Sequence, residues 1–514
     1  MSVSPRPGPV VLARDPSVTV PMTPPELPLP AASVPMGMDD LTLVVLAAGG
    51  GTRMRSRLAK PLHPVAGRPM IEHVLRAGMA AGPDRMVVVV SERLADLDSR
   101  LPGHDVTLVV QDQALGTADA VRRVFDRPGL LPASGRMLVL YGDQPLLDTE
   151  TVSGLARAAS LPGQLVTLLT CVVPDAAGYG RIARNAQGLV HGIVERRDDD
   201  ASLRVGPTEI WSGMMALDVA WARAALGGLT PSAATGELYL TGLVEMAVVG
   251  AGTGAWPVGT VEVAPEVAYG VNDRVELAEA ERLYRDRVRR RLMVGGVTMQ
   301  DPSTTVVDDD VTVGPDTTIL PFTRILAGTT IGRDCVIGPG AEISGATIGD
   351  GVTVRSSTVT GATVHDGADV GPYSHLRAGT IIGPGAHVGN FGEFKNAHLA
   401  EGVKAGHFGY LGDVSVGANT NIGAGTVVAN FDGRRKHRTT IGADAFIGSD
   451  TVLRAPVTVG DGAATGAGSV VTRDVPPGVT VVGVPARPVG REPRPDEDRD
   501  DATVPDRPDR PGEG

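Results

Sequence analysis

The 514-residue chain contains only two cysteines, Cys171 and Cys335, and only 3% of its residues are aromatic. Because the two cysteines fall in different predicted domains, a disulfide framework is not expected and a reducing compartment is favoured. No apolar run approaches the ~20 residues that span a bilayer, and the N-terminus lacks the apolar region of a signal peptide. The sequence therefore predicts a soluble, cytoplasmic protein without membrane insertion.

Basic residues are scarce relative to acidic ones, with 47 Lys and Arg against 59 Asp and Glu and a net charge of −12. Proteins that bind nucleic acids usually carry a basic patch, so this balance argues against nucleic acid as a partner. The chain is too long for one core, and we expect two domains. Residues 1–40 and 491–514 are rich in proline or charge, and we expect both ends to be disordered.

What the chain does contain is an aliphatic residue at every sixth position. The first run is Val313, Ile319, Ile325, Ile331, Ile337 and Ile343, and many of these repeats continue with a glycine or small residue. A six-residue period fits neither a helix nor an alternating strand, and it is typical of parallel β-helices. We expect the aliphatic side chains to fill a triangular coil with the small residues at its corners. This predicts a parallel β-helix over residues 296–490.

A glycine-rich loop follows the first apolar strand pattern, Leu43–Leu46, and runs through Gly49, Gly50 and Gly51. Glycines expose backbone N–H groups and let an anion approach closely. Arg53 and Lys60 can add positive charge for a triphosphate. A tight turn without a ligand would have the same composition, and the loop alone does not decide between the two.

Strand-like runs at 86–90, 107–110 and 137–141 alternate with helical stretches, which indicates an α/β domain with a mostly parallel sheet. Ligands bind at the carboxyl ends of such strands. Asp143 follows one of these strands, where it can hold Mg²⁺ through its oxygens. The alternative is that it caps the helix that starts near Asp148.

Residues 274–295 connect the two predicted domains. Leu277, Ala280, Tyr284, Val288 and Leu292 fall on one helical face, and Glu–Arg and Asp–Arg pairs four residues apart support a helix. We interpret this segment as a solvated helical linker. A charged surface helix of the first domain would show the same pattern.

Six motifs of the first half occur in a recognisable order: Leu46–Met54 with Lys60, Gln111–Thr117, Tyr141–Asp143, Gly178–Ile182, Ile193–Glu195 and Gly270–Asn272. They resemble the uridyltransferase half of the family of bifunctional UDP-N-acetylglucosamine pyrophosphorylase/glucosamine-1-phosphate N-acetyltransferases. The resemblance extends over residues 41–487. It implies a Rossmann-like α/β nucleotidyltransferase domain over residues 41–273.

The resemblance also implies which residues bind the nucleotide and the sugar: Leu46, Ala47, Ala48, Gly49, Arg53, Lys60, Gln111, Gly116, Thr117, Tyr141, Gly142, Asp143, Gly180, Glu195, Trp211 and Asn272. Asp143 and Asn272 would ligate Mg²⁺, and Gly180 and Glu195 would contact the sugar. Trp211 stands where the family has a sugar-contacting asparagine, and Gly242 where it has an aspartate. We therefore expect weakened uridylyl transfer.

The repeat region resembles the acetyltransferase half of the same family, which implies a left-handed β-helix and a homotrimer. Acetylation requires a base to deprotonate the glucosamine ammonium, and an imidazole such as that of His407 accepts a proton near neutral pH. By the resemblance, Glu393 orients His407. The sugar phosphate would contact Arg377, Lys395, Tyr410 and Asn421. Acetyl-CoA would contact Ala424, Asn430, Phe431, Ser449 and Ala467.

Together these motifs predict a bifunctional transferase with Mg²⁺ as cofactor and acetyl-CoA and UTP as co-substrates. It would acetylate glucosamine-1-phosphate and then transfer uridylyl from UTP, making UDP-N-acetylglucosamine for peptidoglycan and cell-wall synthesis. One alternative is an acetyltransferase whose nucleotidyltransferase domain is weakened or inactive. Another is a non-catalytic scaffold in which the β-helix only trimerises.

Overall fold

The computed structural model describes residues 40–101, 103–174, 179–194, 207–232, 235–251 and 256–489. The predicted disordered ends lie outside these residues, apart from Asp40. No helix among the described residues is long and apolar enough to cross a membrane.

The strands of the N-terminal domain are β1 (Leu41–Ala47), β2 (Pro64–Val65), β3 (Arg68–Pro69), β4 (Arg85–Val90), β5 (Thr107–Val110), β6 (Arg136–Tyr141), β7 (Val166–Val173), β8 (Arg181–Arg184), β9 (Val190–Val194), β10 (Thr208–Asp218) and β11 (Val258–Glu262). Its helices are α1 (Met70–Met79), α2 (Leu97–Arg100), α3 (Thr117–Phe125), α4 (Thr149–Ala159), α5 (Val219–Ala225) and α6 (Gly242–Gly250). The main sheet has the order β11-β7-β10-β6-β1-β4-β5.

Along this order the sheet is parallel except at β10, which runs antiparallel to both β6 and β7. Strands β8 and β9 extend the same sheet beside β10, and both of their pairings are antiparallel. The central strand β1 is buried on both faces. Val44 and Leu46 belong to the core beside α3, α5 and α6, whereas Leu43 and Val45 belong to the core beside α1 and α4. Each such side chain contributes about 1.5–3 kcal/mol on burial. The predicted α/β class is thus confirmed.

The C-terminal strands are β12 (Thr298–Met299), β13 (Val306–Val307), β14 (Thr312–Val313), β15 (Thr318–Ile319), β16 (Arg324–Leu326), β17 (Thr330–Ile331), β18 (Val336–Ile337), β19 (Glu342–Ser344), β20 (Thr347–Ile348), β21 (Thr353–Val354), β22 (Thr358–Thr360), β23 (Thr363–Val364), β24 (Asp369–Val370), β25 (His375–Leu376), β26 (Ile381–Ile382), β27 (His387–Val388), β28 (Gly392–Lys395), β29 (His398–Leu399), β30 (Lys404–Ala405), β31 (Gly409–Gly412), β32 (Val414–Val416), β33 (Asn421–Ile422), β34 (Val427–Ala429), β35 (Thr439–Ile441), β36 (Phe446–Ile447), β37 (Val452–Arg454), β38 (Val457–Val459), β39 (Ala464–Thr465), β40 (Val470–Val471), β41 (Thr480–Val482) and β42 (Arg487–Pro488). They form three sheets of 12, 10 and 9 strands, which begin with β12, β13 and β14 and which we name the first, second and third sheets.

From β12 to β41, consecutive strands of the chain lie in different sheets, so the chain winds as a three-sided, left-handed parallel β-helix, which ends in the antiparallel pair of β41 and β42. The hexad residues Ile319, Ile325, Ile331, Ile337 and Ile343 are all buried, and Val313 packs at the edge of the same core. Phe394 is the largest buried side chain of this core. The six-residue pattern therefore predicted the coil correctly, because each hexad supplies one side of the triangle.

Helix α7 (Arg274–Val294) connects the two halves. Near its start, Leu277 and Ala280 pack in a cluster with Val65 and Met70 of the N-terminal domain. Near its end, Val288 and Leu292 belong to the β-helix core. The helix thus connects the two halves with one end packed in each core, and along it only Ala280, Val288, Arg289 and Leu292 are buried.

Candidate active sites

A cleft of about 250 Å³ opens at the carboxyl ends of β1 and β6. Ten predicted residues line it: Leu46, Ala47, Ala48, Gly49, Lys60, Gln111, Gly116, Thr117, Tyr141 and Asp143. Sequence reasoning missed five others: Pro61, Ala114, Ala120, Glu237 and Tyr239. The parallel sheet brings these residues together because its strand ends lie at one edge.

The glycine loop combines open space with one strained turn. A Cβ at Gly49 or Gly50 would meet no atom within 4 Å, so their backbone faces open space. Gly51 has a φ of +58°, and a Cβ there would lie 2.8 Å from Lys60 Cβ. Glycine is needed at this position for both reasons. The loop thus brings its backbone and Lys60 to the same side of the cleft.

Gly116 fixes the opposite wall. It precedes α3 with a φ of +105°, and a Cβ would lie 2.3 Å from the carbonyl oxygen of Leu238. The Ala118 N–H donates to that carbonyl at 3.0 Å. The turn therefore docks Leu238 with its neighbours Glu237 and Tyr239, which line the cleft. The sequence signal for these two was the Glu-x-Tyr-x-Thr pattern that ends before Gly242.

Gln111 is buried and held from two sides. Its Nε2 donates to the Gly116 carbonyl at 3.1 Å and to Asp119 Oδ2 at 2.9 Å. Asp119 is itself fully buried and paired with Arg122 at 2.6 Å. Both N–H donors of the Gln111 amide are therefore used, and its side-chain carbonyl oxygen is available to accept a hydrogen bond from a ligand.

Asp143 and Asn272 converge on one cation. Lys60 Nζ forms an ion pair with Asp143 and donates to Asn272 Oδ1 at 3.0 Å. Arg53 also donates to Asn272 Oδ1, at 2.9 Å. Two oxygen-bearing side chains that share one positive charge suit a hard cation that takes its other ligands from water and phosphate.

The alternative role for Asp143, a helix cap, does not hold. Helix α4 is capped by Asp148, whose Oδ1 accepts from the Thr151 N–H at 2.8 Å. The Asp143 carbonyl instead accepts from the Val271 N–H at 2.9 Å, which holds the loop of Asn272 beside it.

Gly180 and Trp211, two of the predicted sugar contacts, do not line the cleft. Glu195 is outside the described residues. Gly180 accepts a backbone hydrogen bond from the Trp211 N–H at 2.9 Å. The Trp211 indole lies in the apolar cluster of the domain with Val190, Ile193 and others, and its Nε1 donates to the Met214 carbonyl at 2.9 Å. In this position the side chain packs in the core.

We expect Trp211→Asn to lower the free energy of unfolding by about 3 kcal/mol or more, because it replaces a packed aromatic ring by a smaller polar group. Urea denaturation of the full chain measures this. Trp256→Asn is the matched control, because the Trp256 side chain is 64% exposed. Equal stability of both variants, with faster uridylyl transfer by Trp211→Asn, would instead place the indole in the sugar pocket.

In the β-helix, four predicted residues form one column along a corner. Strand pairing places Lys404 beside Asn421, Asn421 beside Phe446 and Phe446 beside Ala464. The residues three positions after these are His407, Ala424, Ser449 and Ala467. Tertiary structure thus aligns the predicted base with three of the predicted acetyl-CoA contacts, although the sequence separates the four by uneven intervals.

Glu393, Lys395 and Tyr410 lie on strands of the second sheet, and these strands begin just after the corner that carries His407. Glu393 pairs with Tyr410 in strand register, and its Oε1 accepts from Arg377 Nη1 at 2.7 Å. Among the described residues no hydrogen bond joins Glu393 to His407, which is exposed. In the isolated chain the carboxylate therefore contacts the arginine, while the predicted base faces outward.

Arg377, Lys395 and Lys436 form a cationic cluster at the carboxyl ends of strands β25 and β28, on the side of the second sheet opposite the His407 corner. The adjacent ammonium of Lys436 is the largest cause of a lowered pKa of Lys395, and Arg377 lowers it further. Like charges held together in this way favour an anion between them. Lys436 was not among the site residues predicted from the sequence.

The loop that supplies Lys436 is internally braced. Phe431 pairs with Lys436 across the turn. Asp432 accepts from the N–H groups of Arg435 and Arg434, each at 2.7 Å, and these bonds with His437 lower the pKa of Asp432 to about 2. Asn430 donates to Asp413 at 2.6 Å and contacts the Tyr410 hydroxyl at 3.4 Å. Asn430 and Tyr410 are thus brought together.

We expect Lys436→Ala to raise the KM for glucosamine-1-phosphate roughly fivefold, as loss of about 1 kcal/mol from an exposed charge pair implies. The KM for acetyl-CoA should change less, because Ala424, Ser449 and Ala467 lie at the other side of the second sheet from Lys436. Lys404→Ala, on the first sheet, is the control. Equal effects on both substrates would remove Lys436 from phosphate binding.

The two halves of the chain match different family models. Residues 43–179 match the MobA-like NTP transferase domain, and residues 310–345 and 438–473 match the bacterial transferase hexapeptide repeat. The chain is 44% identical over 441 residues to the bifunctional protein GlmU of Stutzerimonas stutzeri. This alignment covers 85% of this chain and 94% of that protein. The chain belongs to the GlmU family.

Two further GlmU proteins give the same result. Those of Pseudomonas entomophila and Geotalea uraniireducens are 43% and 41% identical over 445 and 444 residues. These alignments cover 85% and 86% of this chain and 94% and 95% of those proteins. The likeness to GlmU thus includes both halves, which does not favour an acetyltransferase with an inactive first domain.

As a member of the GlmU family, the chain is a bifunctional transferase of UDP-N-acetylglucosamine synthesis. It acetylates glucosamine-1-phosphate with acetyl-CoA, and it transfers uridylyl from UTP to N-acetylglucosamine-1-phosphate. The predicted function is confirmed at this level.

Proposed function

We propose that uridylyl transfer occurs in the cleft at the carboxyl ends of β1 and β6. The observation that carries this is the convergence of Lys60, Arg53, Asp143 and Asn272 beside the glycine loop. Attack of the sugar phosphate on the α-phosphorus of UTP needs positioning and charge neutralisation and no protein nucleophile. Lys60, Arg53 and the loop N–H groups supply the positive charge on the protein side.

Gln111 gives the cleft a preference for uracil. With its two N–H donors held by Gly116 and Asp119, its carbonyl oxygen accepts from the N3–H of uracil. Cytosine presents an acceptor at the same position, which would leave two acceptors facing each other. Binding of UTP is therefore favoured over CTP.

Asp143 and Asn272 are the residues that would hold Mg²⁺. Their oxygens already share one cation, Lys60 Nζ, so the donor set suits the metal. When bound, Mg²⁺ neutralises negative charge on the phosphates. Lys60 would then be released toward the phosphate chain.

In the β-helix, we propose that His407 removes the proton from the glucosamine ammonium, which frees the amine to attack the thioester of acetyl-CoA. Arg377, Lys395 and Lys436 bind the phosphate of the sugar, and Tyr410 and Asn421 position its ring. Acetyl-CoA lies along the corner column of Ala424, Ser449 and Ala467. Asn430 and Phe431, which follow β34 at the other side of the second sheet, would reach it from a neighbouring copy of the chain. Glu393 turns to His407 once the phosphate engages Arg377.

A coupled assay tests both assignments on one sample of the full chain. Free thiol reports acetyl transfer from glucosamine-1-phosphate and acetyl-CoA, and pyrophosphate reports uridylyl transfer from N-acetylglucosamine-1-phosphate, UTP and Mg²⁺. We expect both products, with UTP preferred over CTP. Release of only one product would leave one site without its proposed activity.

We also propose that the enzyme is a cytoplasmic homotrimer. The support is an apolar strip beside His407: Tyr373, Phe391 and Phe408 are 62%, 61% and 56% exposed, and the rings of Tyr373 and Phe391 stack with centroids 5.5 Å apart. An exposed strip of this kind marks an interface. A second copy of the chain that covered it would enclose His407 and complete the acetyltransferase site.

Light scattering of the native protein should therefore report about three chains, as closed cyclic symmetry allows. Phe391→Ser should dissociate the assembly and abolish thiol release while pyrophosphate release persists. The matched control is Phe322→Ser, since Phe322 is 70% exposed in a distant coil. A monomer with full acetyltransferase activity would contradict the proposal.

A further inference from the structure

A second cleft, of about 500 Å³, lies where α1, the start of α4 and the second half of α7 meet. Its lining includes Arg76 from α1, Arg287 and Arg291 from α7, and Asp309 from the first turns of the β-helix. It shares no lining residue with the uridylyl-transfer cleft. The volume falls in the range of small-molecule sites, about 300–1,000 Å³.

The three guanidinium groups retain unused hydrogen-bond donors. Within the described part of the chain, Arg76 makes no ion pair or side-chain hydrogen bond, and its side chain is exposed. Arg287 donates Nη1 to the Leu146 carbonyl at 2.5 Å, and Arg291 donates Nη2 to the Asp309 carbonyl at 2.7 Å. Because a guanidinium has five N–H donors, most of those on Arg287 and Arg291 remain for a ligand.

The carboxylates beside this cleft are already engaged. Asp309 accepts from Arg68 at 3.1 Å and from the Tyr284 hydroxyl at 3.0 Å, and it also forms an ion pair with Arg291 at 3.6 Å. Asp148 accepts from the Thr151 N–H as the cap of α4. Three arginines therefore face two carboxylates whose hydrogen-bonding capacity is partly used. Guanidinium groups bind phosphate through paired donors, and they favour a multiply charged anion in such a cleft.

We propose that this cleft binds a small molecule through a phosphate or pyrophosphate group. The anion would connect Arg76 of the N-terminal domain to Arg287 and Arg291 of α7, whose end is buried in the β-helix core. It would thereby hold the junction between the two halves. A ligand that binds only the folded junction raises its stability by mass action.

The cleft also adjoins the loop that carries Asp143. Arg287 contacts Leu146, three residues after Asp143, and Leu147 and Asp148 line the cleft. A ligand there therefore touches the segment that leads from the proposed metal site into α4. This position makes the cleft suited to sensing phosphate compounds independently of the uridylyl-transfer cleft.

The test uses the full chain, inorganic pyrophosphate as the probe, and EDTA to suppress metal-dependent binding at the active site. Hydrogen exchange should slow at 70–79, 146–152 and 284–294 when pyrophosphate is added. Arg76→Glu should remove this protection and weaken the corresponding calorimetric affinity about tenfold or more, as loss of a charge-assisted contact implies. Arg290→Glu is the matched control, because Arg290 is exposed on α7 and does not line the cleft.

Each other outcome would overturn the proposal. Unchanged protection in Arg76→Glu would place the pyrophosphate elsewhere. Equal losses in Arg76→Glu and Arg290→Glu would reveal general charge attraction. Tighter binding of citrate than of pyrophosphate, lost in Arg76→Glu, would identify a polycarboxylate site instead. Circular dichroism confirms that both variants are folded.

Discussion

His407→Ala should lower the rate of acetyl transfer by ~10²–10⁴-fold, the usual effect of losing a positioned general base. The protonated amine of glucosamine-1-phosphate has no lone pair for attack on the thioester, so the rate then depends on the small fraction that is already deprotonated. Pyrophosphate release should be unchanged, because the uridylyl-transfer cleft lies in the other half. Thiol and pyrophosphate release on one preparation measure both effects.

The pH dependence separates a base from a binding residue. In His407→Ala, kcat for acetyl transfer should rise steadily with pH, because without a protein base the rate depends on the deprotonated fraction of the substrate amine. His398→Ala, an exposed histidine on the third sheet, is the control and should retain wild-type rates. A drop below tenfold in His407→Ala would remove His407 from the role of base.

Asp143→Ala should lower uridylyl transfer by roughly 10³-fold, since charge stabilisation by a bound metal is worth several kcal/mol. The substitution also removes the partner of Lys60, which leaves that ammonium without its carboxylate. Acetyl transfer should be unaffected. Pyrophosphate release as a function of Mg²⁺ concentration measures the change, and half-saturation should move to higher Mg²⁺ in Asp143→Asn.

Asp148→Ala distinguishes a site carboxylate from a structural one on the same loop. Because Asp148 caps α4, its loss should cost about 1 kcal/mol of stability and leave uridylyl transfer largely intact. Wild-type pyrophosphate release with wild-type Mg²⁺ dependence in Asp143→Ala would show that Asp143 does not hold the metal.

The sequence alone determined the architecture of both halves. The six-residue repeat predicted the β-helix because each hexad places one aliphatic residue inside the coil, and Ile319, Ile337 and Ile343 lie there. Alternating apolar strands and helices predicted the α/β sheet. The family resemblance named ten residues of the first cleft, and the parallel strands bring the loops that carry them to one edge of the sheet.

Only the tertiary structure decided which side chains meet. Glu237 and Tyr239 enter the first cleft because Gly116 docks their segment across more than a hundred residues of chain. Lys436 reaches Lys395 because a loop folds back over the sheet. Trp211 packs in the core although its motif position pointed to the sugar. Periodicity records which residues are buried within one element, whereas a contact between distant segments depends on how those elements pack, which no local pattern encodes.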